Sequence, residues 1–328
     1  MSAAPNVKLG FLPLCDAAPL IVASVRGYFE AEGLDVELVR EVSWANLRDK
    51  LAVGALDGAH LLGPMVMAAR LGLGGASFPA RAVMALNRNG AAITVSRSVA
   101  ARGLATIIQE RLAERLPAPT LATVFPYSIH TYLMRAWLIG QGVDPDSDVR
   151  MVTAPPSRMM ERLAAGEIDG FCAGAPWNAY AVAQKVGKIV ATIADVWPDA
   201  PDKVLCVTDD FASERADDLQ SLLRATIRGA AWANNSHHRE ELMSILSQDG
   251  FVGPSAKSPG ALGGIVFPEG EAGAPQPAEA LWLFEQMQSA EQLHEAIGAD
   301  DIGAGFSPRP YLRALMSLKN GASAPQHR

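Results

Sequence analysis

Three short segments of this chain carry side chains that could together bind a small anion. Ser43 is predicted to cap a helix, which would bring the indole N–H of Trp44 and the first backbone N–H groups of that helix to one ligand. Ser128 and His130 add a hydroxyl and an imidazole at a predicted junction between a strand and a helix. Lys203 adds a positive charge near a predicted crossover of the chain. These groups suit a ligand that accepts hydrogen bonds and cannot donate them.

Each candidate also has a structural interpretation, and the sequence alone leaves both open. Trp44 could be a core residue that happens to follow a cap, and Ser128 could be a simple N-cap with His130 as a satisfied polar neighbour. Lys203 could be a solvated surface group, as most lysines are. His60 is a further candidate, because it lies on a short predicted strand and faces either a ligand or the core.

An internal repeat predicts how these residues are positioned. The segment LAVGALDG at 51–58 returns as LAAGEIDG at 163–170, which is 112 residues later, and Pro64 is matched by Pro176 in the same register. Each copy is predicted to be the end of a helix, a glycine stop, a short apolar strand and a proline that opens the next helix. The repeat therefore predicts two similar lobes in one chain.

Strands and helices alternate along both halves of the sequence, which predicts the α/β class. We expect a discontinuous first lobe at 1–96 and 207–328 and a second lobe at 97–206, with the chain returning to the first lobe near Lys203. Two such lobes would face each other with helix N-termini at their strand ends, where a small anion binds readily.

No set of residues predicts catalysis or a bound metal. The chain has no His-x-x-x-His, Cys-x-x-Cys, Gly-x-Ser-x-Gly or Gly-x-Gly-x-x-Gly segment. Its cysteines, Cys15, Cys172 and Cys206, are odd in number and far apart, so we interpret them as structural thiols. Asp57 and Asp169 each follow a helix-ending glycine and are interpreted as turn residues. We expect neither an enzyme nor a cofactor.

Composition and charge limit the partners. Apolar residues make up 49% and charged residues 19% of the chain, as in globular proteins, and the net charge of −7 favours neither nucleic acid nor an anionic membrane surface. An anion must therefore be bound by local geometry. The first residues show no signal-peptide pattern and no apolar run approaches a membrane span, so we expect a cytoplasmic protein.

Four segments resemble the nitrate/bicarbonate-binding proteins of ABC transporters, and the likeness extends over about residues 7–290. They are FLPLCDAAP at 11–19, SWANLRDK at 43–50, LDGAH at 56–60 and GAPWN at 174–178. The resemblance implies a type II periplasmic-binding-protein fold, with two α/β lobes and a ligand cleft between them. It also implies that Trp44, His130 and Lys203 lie in that cleft. Because bicarbonate-binding members have an acidic residue in place of the lysine, Lys203 favours nitrate or nitrite.

One segment departs from the family. Where the family has Asn-Gly-Gln-x-Ile, this chain reads NGAAI at 89–93, so that Ala91 replaces the glutamine. Either Asn87 or Asn89 is expected to supply the missing contact, or affinity and selectivity differ from those of the transporter proteins.

Without a signal peptide the chain is most similar to the cytoplasmic nitrate/nitrite sensors of this family, which hold an ANTAR-type RNA-binding antiterminator until nitrate or nitrite binds. Our hypothesis is such a sensor, with no direct contact with nucleic acid or membrane. The alternatives are the substrate-binding component of an ABC transporter for nitrate, nitrite or bicarbonate, and a less favoured enzyme similar to thiamine-pyrimidine synthases. We expect Lys203→Glu to abolish nitrate binding and to leave the fold intact.

Overall fold

Two mixed sheets of five strands form the framework of the computed structural model, which describes residues 7–293 and 299–322. The first sheet contains, in spatial order, β2 (Val36–Arg40), β1 (Val7–Phe11), β3 (Gly58–Leu62), β10 (Lys203–Thr208) and β4 (Ala80–Ala85). The second contains β7 (Arg150–Thr153), β6 (Thr120–Thr123), β8 (Gly170–Gly174), β5 (Ala91–Ser96) and β9 (Gly187–Thr192). The predicted α/β class with two lobes is confirmed.

Helices connect the strands and cover both sheets. In chain order they are α1 (Ala18–Val25), α2 (Tyr28–Ala31), α3 (Trp44–Ala52), α4 (Gly63–Arg70), α5 (Arg97–Arg102), α6 (Leu104–Ala113), α7 (Ile129–Gly140), α8 (Pro156–Ala164), α9 (Trp177–Ala183), α10 (Ile193–Val196), α11 (Asp209–Glu214), α12 (Ala216–Asn234), α13 (Arg239–Leu246), α14 (Pro277–Ser289), α15 (Ala299–Ala304) and α16 (Pro308–Ala322). In residues 7–293 and 299–322, no helix is both long enough and apolar enough to cross a membrane.

The two sheets match strand for strand. In each, three neighbouring strands run parallel and the fourth runs antiparallel to both of its neighbours. The repeat at 51–58 and 163–170 leads into β3 and β8, the central strands. Corresponding positions keep the same register, since Lys203 pairs with Leu62 at the end of β3 and Ala91 pairs with Gly174 at the end of β8. The repeat therefore places Lys203 and Ala91 at equivalent points of the two lobes.

Each aspartate of the repeat links the start of its own strand to the start of the neighbouring parallel strand. Asp57 and Lys8 exchange two bonds, in which the N–H of Lys8 donates to the Asp57 carboxylate at 2.7 Å and the N–H of Asp57 donates to the Lys8 carbonyl at 2.9 Å. Asp169 and Thr120 make the same exchange at 2.8 Å and 2.7 Å, and Arg111 binds the Asp169 carboxylate with both of its terminal nitrogens. The turn interpretation of both aspartates is confirmed.

Two strands lie in the opposite sheet from the lobe to which the sequence assigned them. β5 lies in the second sheet, whereas the expected boundary at residue 96 had put it in the first lobe. β10 lies in the first sheet, whereas 203–206 had been assigned to the second lobe. The chain crosses before each strand and not after it. An apolar strand has the same pattern in either lobe, so its pairing could not be predicted from its own residues.

The two crossings are bonded to each other. The N–H of Leu86 donates to the carbonyl of Lys203 at 2.8 Å, and the N–H of Asn89 donates to the carbonyl of Ala200 at 3.1 Å. The side chain of Asn87 accepts from the Lys203 N–H at 3.0 Å and donates to the Asn89 carbonyl at 2.8 Å. The segments that connect the lobes thus form one paired double crossing.

Close packing of α1 against α12 holds the first lobe together. Gly229 of α12 is buried where the helices meet, and a Cβ added there would lie 2.1 Å from the carbonyl oxygen of Pro19. Because that atom belongs to the backbone, a side chain at this position can be accommodated only if the helices move apart.

We expect Gly229→Ala to lower the free energy of unfolding by about 1–3 kcal/mol, since overpacking forces the two helices apart. Gly140→Ala is the matched control, because a Cβ at Gly140 meets nothing within 4 Å. That substitution should be neutral or stabilise the protein by up to about 1 kcal/mol. Urea unfolding followed by circular dichroism measures both variants. Equal stabilities would contradict the packing described here.

Candidate functional site

The carboxyl ends of the parallel strands bring the predicted site residues together. In the first lobe, β1 leads to a short 3-10 helix at Cys15–Ala17, and His60 lies on β3, beside β10. In the second lobe, β6 leads to α7, which carries His130. Lys203 is the first residue of β10, which runs antiparallel to β3, and it therefore lies at the same edge. Open α/β sheets bind ligands at this edge.

Lys203 is fully buried and is held by two carboxylates. Its Nζ lies 3.0 Å from Oδ2 of Asp16 and also donates to Oδ2 of Asp202. Burial alone would lower the pKa of Lys203, but the charges of Asp16 and Asp202 outweigh it and raise that pKa above its usual value. The ammonium group is therefore charged at any physiological pH, and the surface interpretation of Lys203 is wrong.

Asp16 also contacts His60. Its Oδ1 lies 3.0 Å from His60 Nε2, which is ion-pair distance, although the alignment of the two groups does not meet hydrogen-bond geometry. Burial would raise the pKa of Asp16, but Lys203 and then His60 hold it well below its usual range. Asp16 is thus an ionised carboxylate, 1% exposed, in the centre of the cluster.

Asp202 differs from Asp16 in its environment. Burial raises its pKa above the usual value; the charge of Lys203 offsets this effect only in part, and Asp16 adds repulsion. Its Oδ1 has no hydrogen-bond partner among the described residues. Of the two carboxylates beside Lys203, Asp202 is therefore the one that gains a proton more readily.

Aromatic rings line the cluster. Trp44, which is 1% exposed, packs on His60 with 5.3 Å between ring centroids, and Lys203 Nζ lies 5.8 Å from the centroid of Trp44. From the second lobe comes His130, which is fully buried. Burial lowers the pKa of His130 well below its usual value; Lys203 lowers it further, and Asp16 opposes this in part. His130 is therefore a neutral imidazole, able to donate one hydrogen bond and to accept another.

Several buried donors of the cluster have no partner. Within the described part of the chain, the indole nitrogen of Trp44 and both ring nitrogens of His130 make no hydrogen bond, whereas Nε2 of His60 faces the Asp16 carboxylate at 3.0 Å. An unsatisfied buried polar group costs about 1–3 kcal/mol, so folded proteins rarely keep several in one place without a reason. These groups surround a fixed ammonium, and they can therefore bind an acceptor-only anion.

The second lobe lies directly against this cluster. A Cβ added to Gly174 would lie 3.2 Å from Oδ2 of Asp16 and 3.5 Å from Nζ of Lys203. Across the same junction, the N–H of Cys15 donates to the carbonyl of Ala175 at 2.9 Å. The two lobes therefore close over the cluster, which explains why Lys203 has no exposed surface.

The remaining predicted site residues have other surroundings. Ser128 caps α7: its hydroxyl donates to the carbonyl of Phe125 at 2.6 Å and accepts from the N–H of Thr131 at 3.2 Å. Its proton is committed, so the capping interpretation applies. Both ends of the Asn87 side chain are used in the crossing, which leaves Asn89 as the candidate to replace the family glutamine. Asn89 has a left-handed φ of 58°, and its Oδ1 is unpartnered in the described structure.

Sequence analysis missed Asp16 and Asp202. Asp16 lies within one of the segments that carry the family resemblance, and Asp202 directly precedes Lys203. A buried lysine needs a counter-charge, so either aspartate could have been found once Lys203 was known to be buried. Burial depends on how the lobes close, and the local sequence around Lys203 does not contain that information.

The cysteines do not belong to a reactive centre. All three are buried free thiols, and burial raises the pKa of Cys206 to about 12. Their structural interpretation is confirmed. Among residues 7–293 and 299–322, no group of three or more His, Cys, Asp or Glu side chains could hold a metal ion.

Because Lys203 is buried between carboxylates, Lys203→Glu should also destabilise the fold, contrary to the expectation from sequence. The substitution removes the ammonium that Asp16 and Asp202 share and puts a third carboxylate beside them, and breaking a buried pair costs about 3–5 kcal/mol. Urea unfolding measures the loss in the free energy of unfolding. Lys188→Glu is the control, since Lys188 is exposed on β9 and should change stability by no more than about 0.5 kcal/mol. Similar stabilities for the two variants would mean that Lys203 is accessible to water.

Comparison with known proteins agrees with this architecture. The model of the NMT1-like family matches residues 2–247. The chain is 32% identical to the nitrate/nitrite binding protein NrtA of Synechococcus elongatus over 327 residues, which covers 93% of this chain and 73% of that protein. It is 38% identical over 288 residues to the nitrate import ATP-binding protein NrtC of Synechocystis sp., which covers 86% of this chain but only 42% of that longer protein.

The fold has a solved counterpart. The crystal structure of the periplasmic nitrate-binding protein NrtA from Synechocystis PCC 6803 superposes with a TM-score of 0.88 at 25% sequence identity, covering 99% of this chain and 92% of that one. The predicted periplasmic-binding-protein fold is thereby confirmed. With the family model matching most of its length, this chain is a member of the NMT1-like family and a homologue of the nitrate-binding protein NrtA.

Proposed function

We propose that this chain binds nitrate or nitrite between its lobes and serves as a cytoplasmic sensor that holds an ANTAR-type RNA-binding antiterminator until the anion binds. The observation that carries the binding proposal is the set of unpartnered buried donors around Lys203. The similarity to NrtA supports the choice of ligand.

Nitrate matches the chemistry of this cluster. It is a planar monoanion that accepts hydrogen bonds and cannot donate any, so it needs donors and a positive charge. The indole of Trp44, the imidazole of His130 and the ammonium of Lys203 supply both. The family resemblance favours nitrate or nitrite over bicarbonate, because Lys203 stands where bicarbonate binders have an acidic residue.

The sensor proposal needs a surface that changes when the lobes move, and α14 has the required contacts. This helix packs on α4 of the first lobe and on α7 of the second. Its Trp282 meets Trp197, beside α10, edge to face at 5.3 Å. Just beyond it, Gln292 accepts from the Tyr132 hydroxyl at 2.9 Å and donates to the Pro126 carbonyl at 3.0 Å. A partner that binds over α14 would therefore distinguish lobe arrangements, as ligand-dependent release requires.

The second candidate function is the substrate-binding component of an ABC transporter. The names of the relatives favour it, since they are binding and import proteins. Nitrate binding is common to both candidates, and the partner separates them. The thiamine-pyrimidine-synthase alternative has no support among these relatives.

Trp44→Phe should weaken nitrate binding about tenfold to a hundredfold, because it removes one hydrogen bond to an anion while keeping most of the ring. Isothermal titration with nitrate measures the change. Trp232→Phe is the matched control: Trp232 is also buried, but it stacks on His238 in the first lobe, and its loss should leave nitrate affinity unchanged. Unchanged affinity in the Trp44 variant would exclude the indole from the site.

Nitrate should release the antiterminator from this protein. In size-exclusion chromatography the two purified proteins are expected to elute together without ligand and separately with saturating nitrate or nitrite, whereas bicarbonate should have no effect. The Trp44→Phe variant should need a correspondingly higher nitrate concentration. A complex that persists in saturating nitrate would refute the sensor proposal and leave nitrate binding intact. Binding to a transporter permease instead would favour the second candidate.

A further inference from the structure

We propose that the site takes up a proton together with its anion, that Asp202 holds this proton, and that the site therefore selects monovalent anions. This inference rests on the proposed function, since it concerns the same cluster. Its basis is the number of charges that are buried together around a single ammonium group.

The cluster already contains more negative than positive charge. One ammonium, that of Lys203, is shared by the carboxylates of Asp16 and Asp202. All three side chains are at most 2% exposed, so water does not screen them. A bound anion would leave three negative charges around one positive charge in a medium where each unpaired charge costs several kcal/mol. Binding must therefore neutralise one of the negative charges.

The other groups that face the cluster do not supply the missing positive charge. His130 of α7 is neutral because burial and Lys203 keep its pKa low. Burial keeps the thiols of Cys15, next to Asp16, and Cys172, on β8, protonated and uncharged. His60 on β3 faces Asp16 at 3.0 Å, and the variants below separate it from Asp202 as the acceptor.

Asp202 is the better acceptor for two reasons. Its Oδ1 has no partner in the described structure, so a proton there displaces no existing hydrogen bond. Protonation also removes one of the two charges that compete with the anion for Lys203. The balanced step combines the Asp202 carboxylate, one proton from solvent and one nitrate ion to give a protonated Asp202 beside bound nitrate. No bond of the anion is broken.

This charge balance predicts selectivity by the charge of the anion. A divalent anion such as sulfate would require a second proton, and the remaining carboxylate, Asp16, is held ionised by Lys203 and His60. Sulfate should therefore bind at least about a hundredfold more weakly than nitrate. This factor corresponds to protonating a carboxyl group about two pH units above its pKa.

Titration calorimetry in two buffers of different ionisation enthalpy, such as HEPES and Tris, measures the proton directly. At about pH 8 the wild-type protein should take up close to one proton for each nitrate bound. On the alkaline side, its affinity for nitrate should fall by up to about tenfold for each pH unit, which is the limiting slope for one linked proton. Asp202→Asn should take up no proton and show a flat profile, with tighter nitrate binding than wild type at high pH.

Asp199→Asn is the matched control, because Asp199 lies in the same crossing but its side chain is 73% exposed. It should keep the wild-type proton uptake. Nitrate binding without buffer-dependent heat in the wild type would overturn the inference and leave the proposed function standing. Proton uptake that survives in Asp202→Asn and disappears in His60→Gln would overturn the assignment to Asp202. No nitrate binding at any pH would overturn the proposed function, and this inference with it.

Discussion

The buried ion pair between Lys203 and its two aspartates is the constraint on which the rest of the site depends. An ammonium without exposed surface is stable only where carboxylates meet it, and carboxylates so placed are stable only while the ammonium remains. Because Asp16 follows β1 and Lys203 opens β10, the pair joins distant parts of the chain at one sheet edge. The cluster is therefore a determinant of the first lobe as well as the candidate binding site.

The double crossing transmits this constraint to the relation between the lobes. The backbone N–H of Lys203 is bonded to Asn87, whose side chain also holds the carbonyl of Asn89. The residue that supplies the charge is thus part of the connection about which the lobes would move. The Lys203 residue therefore carries the charge through its side chain and takes part in the crossing through its backbone.

Local patterns in the sequence predicted the elements, the family resemblance implied much of the site, and tertiary burial accounts for what both missed. The repeat predicted two lobes, and the resemblance implied that Trp44, His130 and Lys203 lie in one cleft. His60 proved to lie in the same cluster. Asp16 and Asp202 were missed because their role exists only once Lys203 is enclosed. The strands β5 and β10 were assigned to the wrong lobes because an isolated apolar strand does not specify its partner.

The equivalence of Lys203 and Ala91 in the two sheets has a consequence for how such a site changes over evolution. Duplicated lobes offer the same position twice; here one copy carries a long cation, and the other carries Ala91 opposite Gly174, two of the smallest residues. Charge and space have been divided between the two halves of the molecule. The first lobe supplies the charge and the second supplies the space beside it. Because a Cβ at Gly174 would lie 3.2 Å from Oδ2 of Asp16, a change of size in one lobe also acts on the charged cluster of the other.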